Sequence, residues 1–158
     1  RRAMRDYEKK DAMTKEISTM LCAKEYEVAE AVGRLKSEQT RMKSQIAELQ
    51  QKLLKFCVAE IPVDEKIVTV FDGSLSGNLP REMMNQLLDK GAVICAVFAG
   101  TDEEGYRYVI GSRSEDVRSI SKTLNSTLEG RGGGKPEMVQ GSVKGTEDAV
   151  KEIIARYQ

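Results

Sequence analysis

The sequence contains no histidine in its 158 residues, which narrows the chemistry open to it. Without an imidazole, the chain cannot build a Ser-His-Asp or Cys-His nucleophilic site, and it offers no histidine ligand to a metal. Its three cysteines, Cys22, Cys57 and Cys95, are odd in number and far apart. That spacing favours a reducing compartment over a disulfide framework. We therefore predict no catalytic residue and no metal site in this chain, and a cytoplasmic location.

Long apolar runs are also missing. No stretch approaches the length of a transmembrane helix, and no N-terminal apolar segment resembles a signal peptide. The chain begins with Arg1, so we expect a piece of a longer protein. Its length suits one domain with a helical appendage.

The net charge is zero, and its distribution is more informative. Residues 1–56 carry 13 basic and 9 acidic groups, residues 57–104 carry 3 and 9, and residues 105–158 carry 9 and 7. The basic surplus therefore lies at both ends of the sequence. If the chain binds nucleic acid, we expect the acidic middle to face away from it. Solvated charged faces with no partner are the alternative.

The first third of the chain has a heptad pattern, which predicts a helical arm over residues 1–60. From about Met13 to Phe56 the composition is helical and free of proline. A single helix or two antiparallel helices would satisfy the pattern, and Ala23-Lys24-Glu25 could hold the turn. We predict burial of its apolar seam, in a hairpin or across a dimer. The predicted seam residues are Leu35, Met42, Ile46, Leu49, Leu53 and Phe56.

Beyond Pro62 the sequence predicts a small layered α/β domain over residues 61–158. β-branched residues predict a strand over 67–71, and a continuous apolar run predicts a central strand over 92–98. A third strand is predicted over 106–110. The predicted fold class is α/β, with a helical hairpin or coiled-coil arm ahead of this domain.

Helix boundaries in this domain follow from capping residues. Pro80 suits the first position of a helix that ends at Gly91. We predict that Ser114 caps the next helix and that Thr146 caps the last one. Pro136 is predicted to start a single helical turn.

A glycine run, Gly130-Arg131-Gly132-Gly133-Gly134-Lys135-Pro136, is the most distinctive segment. Consecutive glycines cost backbone entropy, so folded proteins place them where φ is positive or another backbone comes close. Bare N–H groups between two cations suit an anionic oxygen. A mobile glycine loop is the alternative.

The spacing from the glycines to Pro136 and on to Gln140-Gly141 resembles a known family. A Gly-Gly-Gly-Lys-Pro-x-x-x-Gln-Gly pattern resembles the C-terminal domain of alanyl-tRNA synthetase and of stand-alone alanyl-tRNA editing proteins, the DHH-associated domain family. The opening residues 1–7, Arg-Arg-Ala-Met-Arg-Asp-Tyr, are similar to the segment that follows the editing domain in the long stand-alone type. Lys135 stands where arginine is commoner in that family.

This resemblance implies a tRNA-binding and oligomerisation module of an alanyl-tRNA editing hydrolase. It implies tRNA-Ala as partner, a homodimer, an antiparallel helical hairpin, and a zinc-dependent hydrolytic site upstream of Arg1, with no cofactor in this chain. We expect nucleic-acid contacts from the glycine motif and from cations near it in sequence. The predicted contact residues are Arg131, Gly132, Gly133, Gly134, Lys135, Gln140, Lys144 and Arg113.

Two other functions remain open from the sequence. The same superfamily accompanies DHH phosphoesterases, in which the glycine run helps to hold nucleotide phosphates, but there a histidine follows the run where this chain has Lys135. A purely structural dimerisation domain would explain the heptads and leave the glycines unexplained.

Overall fold

A computed structural model describes residues 2–158, with side chains from residue 4 onward. Arg1, the first residue of the opening segment, lies outside the described residues. The chain divides into two compact units, Arg1–Gln51 and Lys52–Gln158. The domain boundary predicted at residues 60 and 61 stays a prediction.

The N-terminal part of the chain is helical and is interrupted once. Its elements are α1 (Arg2–Met20), a single 3-10 turn (Glu25–Glu27) and α2 (Val28–Glu60). After α1 the Ala23 N–H donates to the Ser18 carbonyl over 3.0 Å, and Cys22 has a φ of 49°. The break falls where the polar stretch at residues 23–25 was predicted to hold a turn. The first helix begins at Arg2, ahead of the stretch from Met13 in which the heptads recur.

The apolar seam of α2 is exposed within the single chain. Leu49 is 64% exposed and Phe56 is 72% exposed. Burial of the seam inside a hairpin is therefore not what the structure shows, and burial across a dimer stays a prediction. The six predicted seam residues are all more than half exposed: Leu35, Met42, Ile46, Leu49, Leu53 and Phe56.

The second unit is built on a five-stranded mixed sheet. Its strands are β1 (Ile67–Phe71), β2 (Ile94–Thr101), β3 (Gly105–Ser112), β4 (Arg131–Lys135) and β5 (Met138–Val143). Their spatial order is β1-β2-β3-β5-β4. β1 is parallel to β2, and every other neighbouring pair is antiparallel. The predicted α/β class is confirmed, and strand β1 has the predicted bounds.

Helices cover the two faces of this sheet unequally. These are α3 (Leu79–Lys90), α4 (Arg118–Thr127) and α5 (Glu147–Ala155). One apolar cluster joins α4 and α5 to the inward side chains of the sheet, including Phe98 and Tyr108. The other joins α3 and the end of α2 to the opposite face, around Val97. On that second face α3 packs on β2 and β3, Met138 of β5 packs against the same apolar cluster, and β4 forms the exposed outer edge.

Three capping predictions are confirmed by the helix ends. Pro80 lies in the first turn of α3, and Gly91 ends that helix with a φ of 119°. The Thr146 hydroxyl accepts a hydrogen bond from the Ala149 N–H at 3.3 Å and caps α5. Proline supplies the fixed φ of a first helical turn, glycine adopts the positive φ at a helix end, and threonine supplies the side-chain acceptor of an N-cap.

Two local predictions are wrong. Ser114 does not cap α4, because the helix begins at Arg118 and the Asp116 carboxylate accepts the Arg118 N–H at 3.0 Å. Pro136 does not start a helical turn. It follows Lys135, which pairs with Met138, so Pro136 belongs to the two-residue connection of a β-hairpin.

Lys90 ties the end of α2 to the end of α3. Its ammonium donates to the carbonyls of Val58, Ala59 and Ile61 over 2.9, 2.7 and 2.6 Å. The last carbonyls of a helix have no partner within the helix and carry partial negative charge. A single cation therefore satisfies three acceptors where α2 ends and the chain leads into the sheet.

Candidate functional site

The glycine run forms strand β4 at the edge of the sheet, where a loop was the alternative interpretation. All five of its residues are exposed, and it pairs only with β5. Of the two reasons for a glycine run, close backbone approach therefore applies here and positive φ does not, since no glycine of β4 has a positive φ.

Strand register places four of the predicted contact residues on one face. Because side chains alternate across a strand, Arg131, Gly133 and Lys135 share a face of β4. Their partners on β5 are Ser142, Gln140 and Met138. The partners of those residues on β3 are Arg107, Val109 and Gly111. We call this surface the open face; it consists of Arg107, Val109, Met138, Gln140, Ser142, Arg131, Gly133 and Lys135.

The open face has cations at its corners and small or neutral groups at its centre. Arg107 and Arg131 flank Ser142 in one row, and Lys135 ends another. The middle row holds Gln140 and Gly133. Within the described part of the chain, no carboxylate pairs with these three cations, so their charges remain available to a ligand.

The glycines of β4 serve different purposes. A Cβ atom built on Gly133 would meet no atom within 4 Å, whereas one on Gly132 would lie 2.5 Å from the Gln140 carbonyl oxygen. A Cβ on Gly134 would lie 2.3 Å from the Met138 carbonyl oxygen. Only Gly133 is therefore free to take a side chain, and its lack of one leaves the open face accessible. Gly132 and Gly134 are required by packing within the sheet.

A buried polar network holds β4 from the opposite face. The Tyr108 hydroxyl lies 2.7 Å from the Ser121 Oγ and donates to the Asn125 Oδ1 over 3.0 Å. Asn125 in turn donates from Nδ2 to the Gly132 carbonyl over 3.3 Å. The Tyr108 phenol occupies the space that a Cβ on Gly132 or Gly141 would need, at 2.6 Å from each. This network fixes the glycine strand against α4.

Three depressions border the open face. One of 340 Å³ is lined by Arg81, Arg107 and Gln140, and one of 480 Å³ by Arg81, Gln140 and Lys135. A third, of 550 Å³, is lined by Arg107, Arg131 and Ser142. Shared lining residues make these depressions one continuous surface from the edge strand to the first turn of α3.

The remaining predicted contact residues lie at the margins. Lys144 borders the third depression and lies 4.0 Å from the Glu129 carboxylate. Arg113 borders the second and donates to the Asp89 carboxylate over 2.9 Å. The structure thus brings both near the open face, with each charge already facing a carboxylate.

Two side chains of the sheet outside the open face, Cys95 and Tyr106, have raised pKa values. Burial raises the pKa of the Cys95 thiol to about 12, which agrees with a packing role and excludes a thiolate nucleophile at neutral pH. The hydrogen bond to Asp102 raises the pKa of Tyr106 to about 12. Among the described residues, no three or more Cys, Asp or Glu side chains cluster so as to hold a metal ion.

Sequence reasoning missed Arg81 and Arg107. Alternation in Tyr106-Arg107-Tyr108 indicates that Arg107 lies opposite the two tyrosines, but only the pairing of β3 with β5 aligns it with Arg131. β5 itself was not predicted, because Gly141 and Gln140 weaken its strand signal. Arg81 reaches the site from α3, and no sequence pattern links that helix to the glycines.

The fold and the open face together define a small α/β domain with a cationic sheet surface. Residues 64–158 match the DHHA1 domain, and the chain belongs to the DHHA1 domain family. The resemblance drawn from the glycine motif is confirmed by this match.

Two alanine–tRNA ligases are similar in sequence. The chain is 33% identical over 73 residues to the one from Acholeplasma laidlawii, covering 44% of this chain and 9% of the ligase. It is 25% identical over 157 residues to the one from Psychrobacter, covering 92% of this chain and 17% of the ligase. The chain is homologous to the C-terminal region of alanyl-tRNA synthetase and spans less than a fifth of these relatives' lengths.

A solved structure shares the fold. RecJ from Thermus thermophilus in complex with Mg²⁺ aligns with a TM-score of 0.57 at 16% identity, covering 89% of this chain and 21% of RecJ. In the described residues, no helix is long and apolar enough to cross a membrane.

Proposed function

We propose that this chain is a tRNA-associated accessory domain of an alanyl-tRNA synthetase or alanyl-tRNA editing protein, and that its open face contacts the phosphate backbone of tRNA-Ala. The observation that carries the proposal is the row Arg107, Ser142 and Arg131 beside the bare Gly133. Unpaired cations around a centre without a side chain suit phosphate oxygens. Homology to alanine–tRNA ligases supports tRNA as the source of those phosphates.

In this proposal the chain supplies binding and assembly, and a zinc-dependent hydrolytic site lies elsewhere in a cytoplasmic parent protein. The open face offers few apolar or aromatic groups for base stacking, so shape and backbone recognition fit better than readout of a single-stranded sequence. We infer recognition of folded tRNA.

Binding to folded tRNA across a salt series tests this function. With about three phosphate contacts, we expect the logarithm of the affinity to fall with log salt at a slope of roughly −2 to −3. An unstructured RNA of the same length is the control and should bind more weakly. Displacement of tRNA by a free mononucleotide would instead support a nucleotide-binding accessory domain of the DHH phosphoesterase type. Failure to bind either RNA would refute the proposal.

The exposed seam of α2 supports the oligomerisation part of the proposal. Leu49 is 64% exposed, so Leu49→Asp should leave the stability of the single chain unchanged. If a second copy covers the seam, the same change buries a charge and should abolish association. Sedimentation would show a dimer for the wild type and a monomer for the variant.

Ala47→Asp is the matched control for Leu49→Asp. At 100° per residue, position 47 lies on the opposite side of α2 from position 49. The control variant should therefore still dimerise. A wild type that sediments as a monomer at every accessible concentration would contradict the predicted seam.

A further inference from the structure

The open face has a second concentration of positive charge, on the side away from the glycine strand. Arg107 on β3 and Arg131 on β4 both align with Ser142, so their backbones lie two strand spacings, about 10 Å, apart. Arg81, in the first turn of α3, borders the depression that Arg107 also lines. Neither Arg81 nor Arg107 has an ion-pair partner within the part of the chain that the structure describes.

We propose that Arg81 and Arg107 form a second phosphate-binding position, so that one bound nucleic-acid strand crosses β5 at Gln140 from the glycine strand to α3. This inference rests on the proposed function and adds two residues that the glycine motif does not indicate. It also assigns a direction to the bound strand, which runs across the sheet strands.

The shape of the surface fits one strand of backbone. Its floor is three strands wide, β3, β5 and β4, and is bounded on one side by α3. The other side is the exposed edge strand, where Gly133 presents no side chain. Such a floor is too narrow for both backbones of a duplex and has room for one.

The chemistry of the surface favours phosphate over a carboxylate-bearing peptide. Guanidinium groups present a planar fork of donors that matches phosphate and carboxylate oxygens alike, so the choice rests on the rest of the surface. Gln140 and Ser142, exposed between the two cationic sides, add uncharged polar groups along the path. A docked peptide would need a buried apolar anchor, and the apolar members of the face, Val109 and Met138, are already half buried against the α3 cluster.

Single substitutions with a salt series test the second position. Arg81→Ala and Arg107→Ala should each weaken tRNA binding about three- to tenfold at low salt and reduce the magnitude of the salt slope by about 0.7–0.9. Both side chains are exposed, so melting temperatures should not change. Lys122→Ala is the matched control: this exposed cation lies on α4, which covers the other face, and its loss should alter neither quantity.

A probe other than tRNA separates this inference from the proposed function. Titration of the ¹⁵N-labelled full chain with inorganic tripolyphosphate should shift the amide signals of Gly133, Gln140 and Arg107, and Arg81→Ala should reduce those shifts. If wild type binds tRNA and Arg107→Ala weakens binding while Arg81→Ala binds with unchanged affinity and slope, the inference fails and the proposed function stands. If tRNA does not bind but the tripolyphosphate shifts depend on Arg81, the proposed function fails and the phosphate position is supported. Equal shifts with poly-glutamate would overturn the assignment to nucleic acid.

Discussion

Gly132→Ala is expected to lower the free energy of unfolding by about 1–3 kcal/mol, the usual cost of an overpacked core. The new methyl group would lie 2.6 Å from the Tyr108 hydroxyl and 2.5 Å from the Gln140 carbonyl oxygen. One of these atoms is backbone in a paired strand and cannot rotate away, so we expect the upper part of that range. Displacing Tyr108 would also break its hydrogen bonds to Ser121 and Asn125.

Gly133→Ala is the matched control, one residue away in the same strand. Its Cβ would meet nothing within 4 Å, and alanine suits an extended backbone at least as well as glycine. Denaturant unfolding of the two variants should therefore give clearly different midpoints. Equal destabilisation by both substitutions would mean that the strand tolerates no side chain at all. It would contradict the conclusion that packing requires Gly132 while Gly133 serves to keep the open face accessible.

The double substitution Arg131→Ala with Lys135→Ala is expected to weaken tRNA binding by at least about tenfold at low salt, since hydrogen bonds to charged groups are among the strongest. Both cations belong to the exposed edge strand and share the open face. Loss of two phosphate contacts should reduce the magnitude of the salt slope by about 1.4–1.8. The melting temperature should hardly move, because neither side chain has an ion pair within the described residues.

Two further variants, Gly133→Val and Arg113→Ala, help to interpret the effect of the double substitution. Gly133→Val should also weaken binding, by filling the open centre of the face, and should leave the salt slope close to that of the wild type because no cation is lost. Arg113→Ala removes a cation that already faces Asp89 and should have a smaller effect than the loss of Arg131. Wild-type affinity and slope in the double variant would exclude the glycine surface as the RNA site.

Local signals in the sequence predicted much of the fold. β-branched residues predicted β1 over its observed bounds, and Pro80, Gly91 and Thr146 predicted helix ends, because each acts through the backbone next to it. The predictions were incomplete where the local structure depends on residues that are distant in the sequence. The glycines of β4 have poor intrinsic strand propensity and form a strand because β5 pairs with them. Ser114 does not cap α4, because the helix begins only at Arg118, where the Asp116 carboxylate accepts the first N–H and Val117 takes the N-cap position without a side-chain hydrogen bond.

From the sequence we predicted only those residues of the candidate site that lie close to the glycine motif in the chain. Arg131, Gly133, Lys135 and Gln140 could be chosen from the motif because they lie within ten residues of one another. Arg107 joins them through the register of β3 with β5, which no local pattern encodes. The different roles of Gly132 and Gly133 could not be predicted from the sequence either. They depend on the Tyr108 hydroxyl, which comes from β3 in the middle of the sheet and lies close to Gly132.

The ammonium of Lys90 has three N–H donors, and the structure directs them to three carbonyls at the end of α2. An amine in that setting is a poor nucleophile towards an acylating reagent, because it must first leave all three acceptors and lose a proton. We therefore expect the amine of Lys90, although exposed, to be modified more slowly than a solvated lysine and to react faster whenever the end of α2 separates from α3. Acylation of the amine removes its charge and should weaken the three hydrogen bonds that hold the end of α2 against α3.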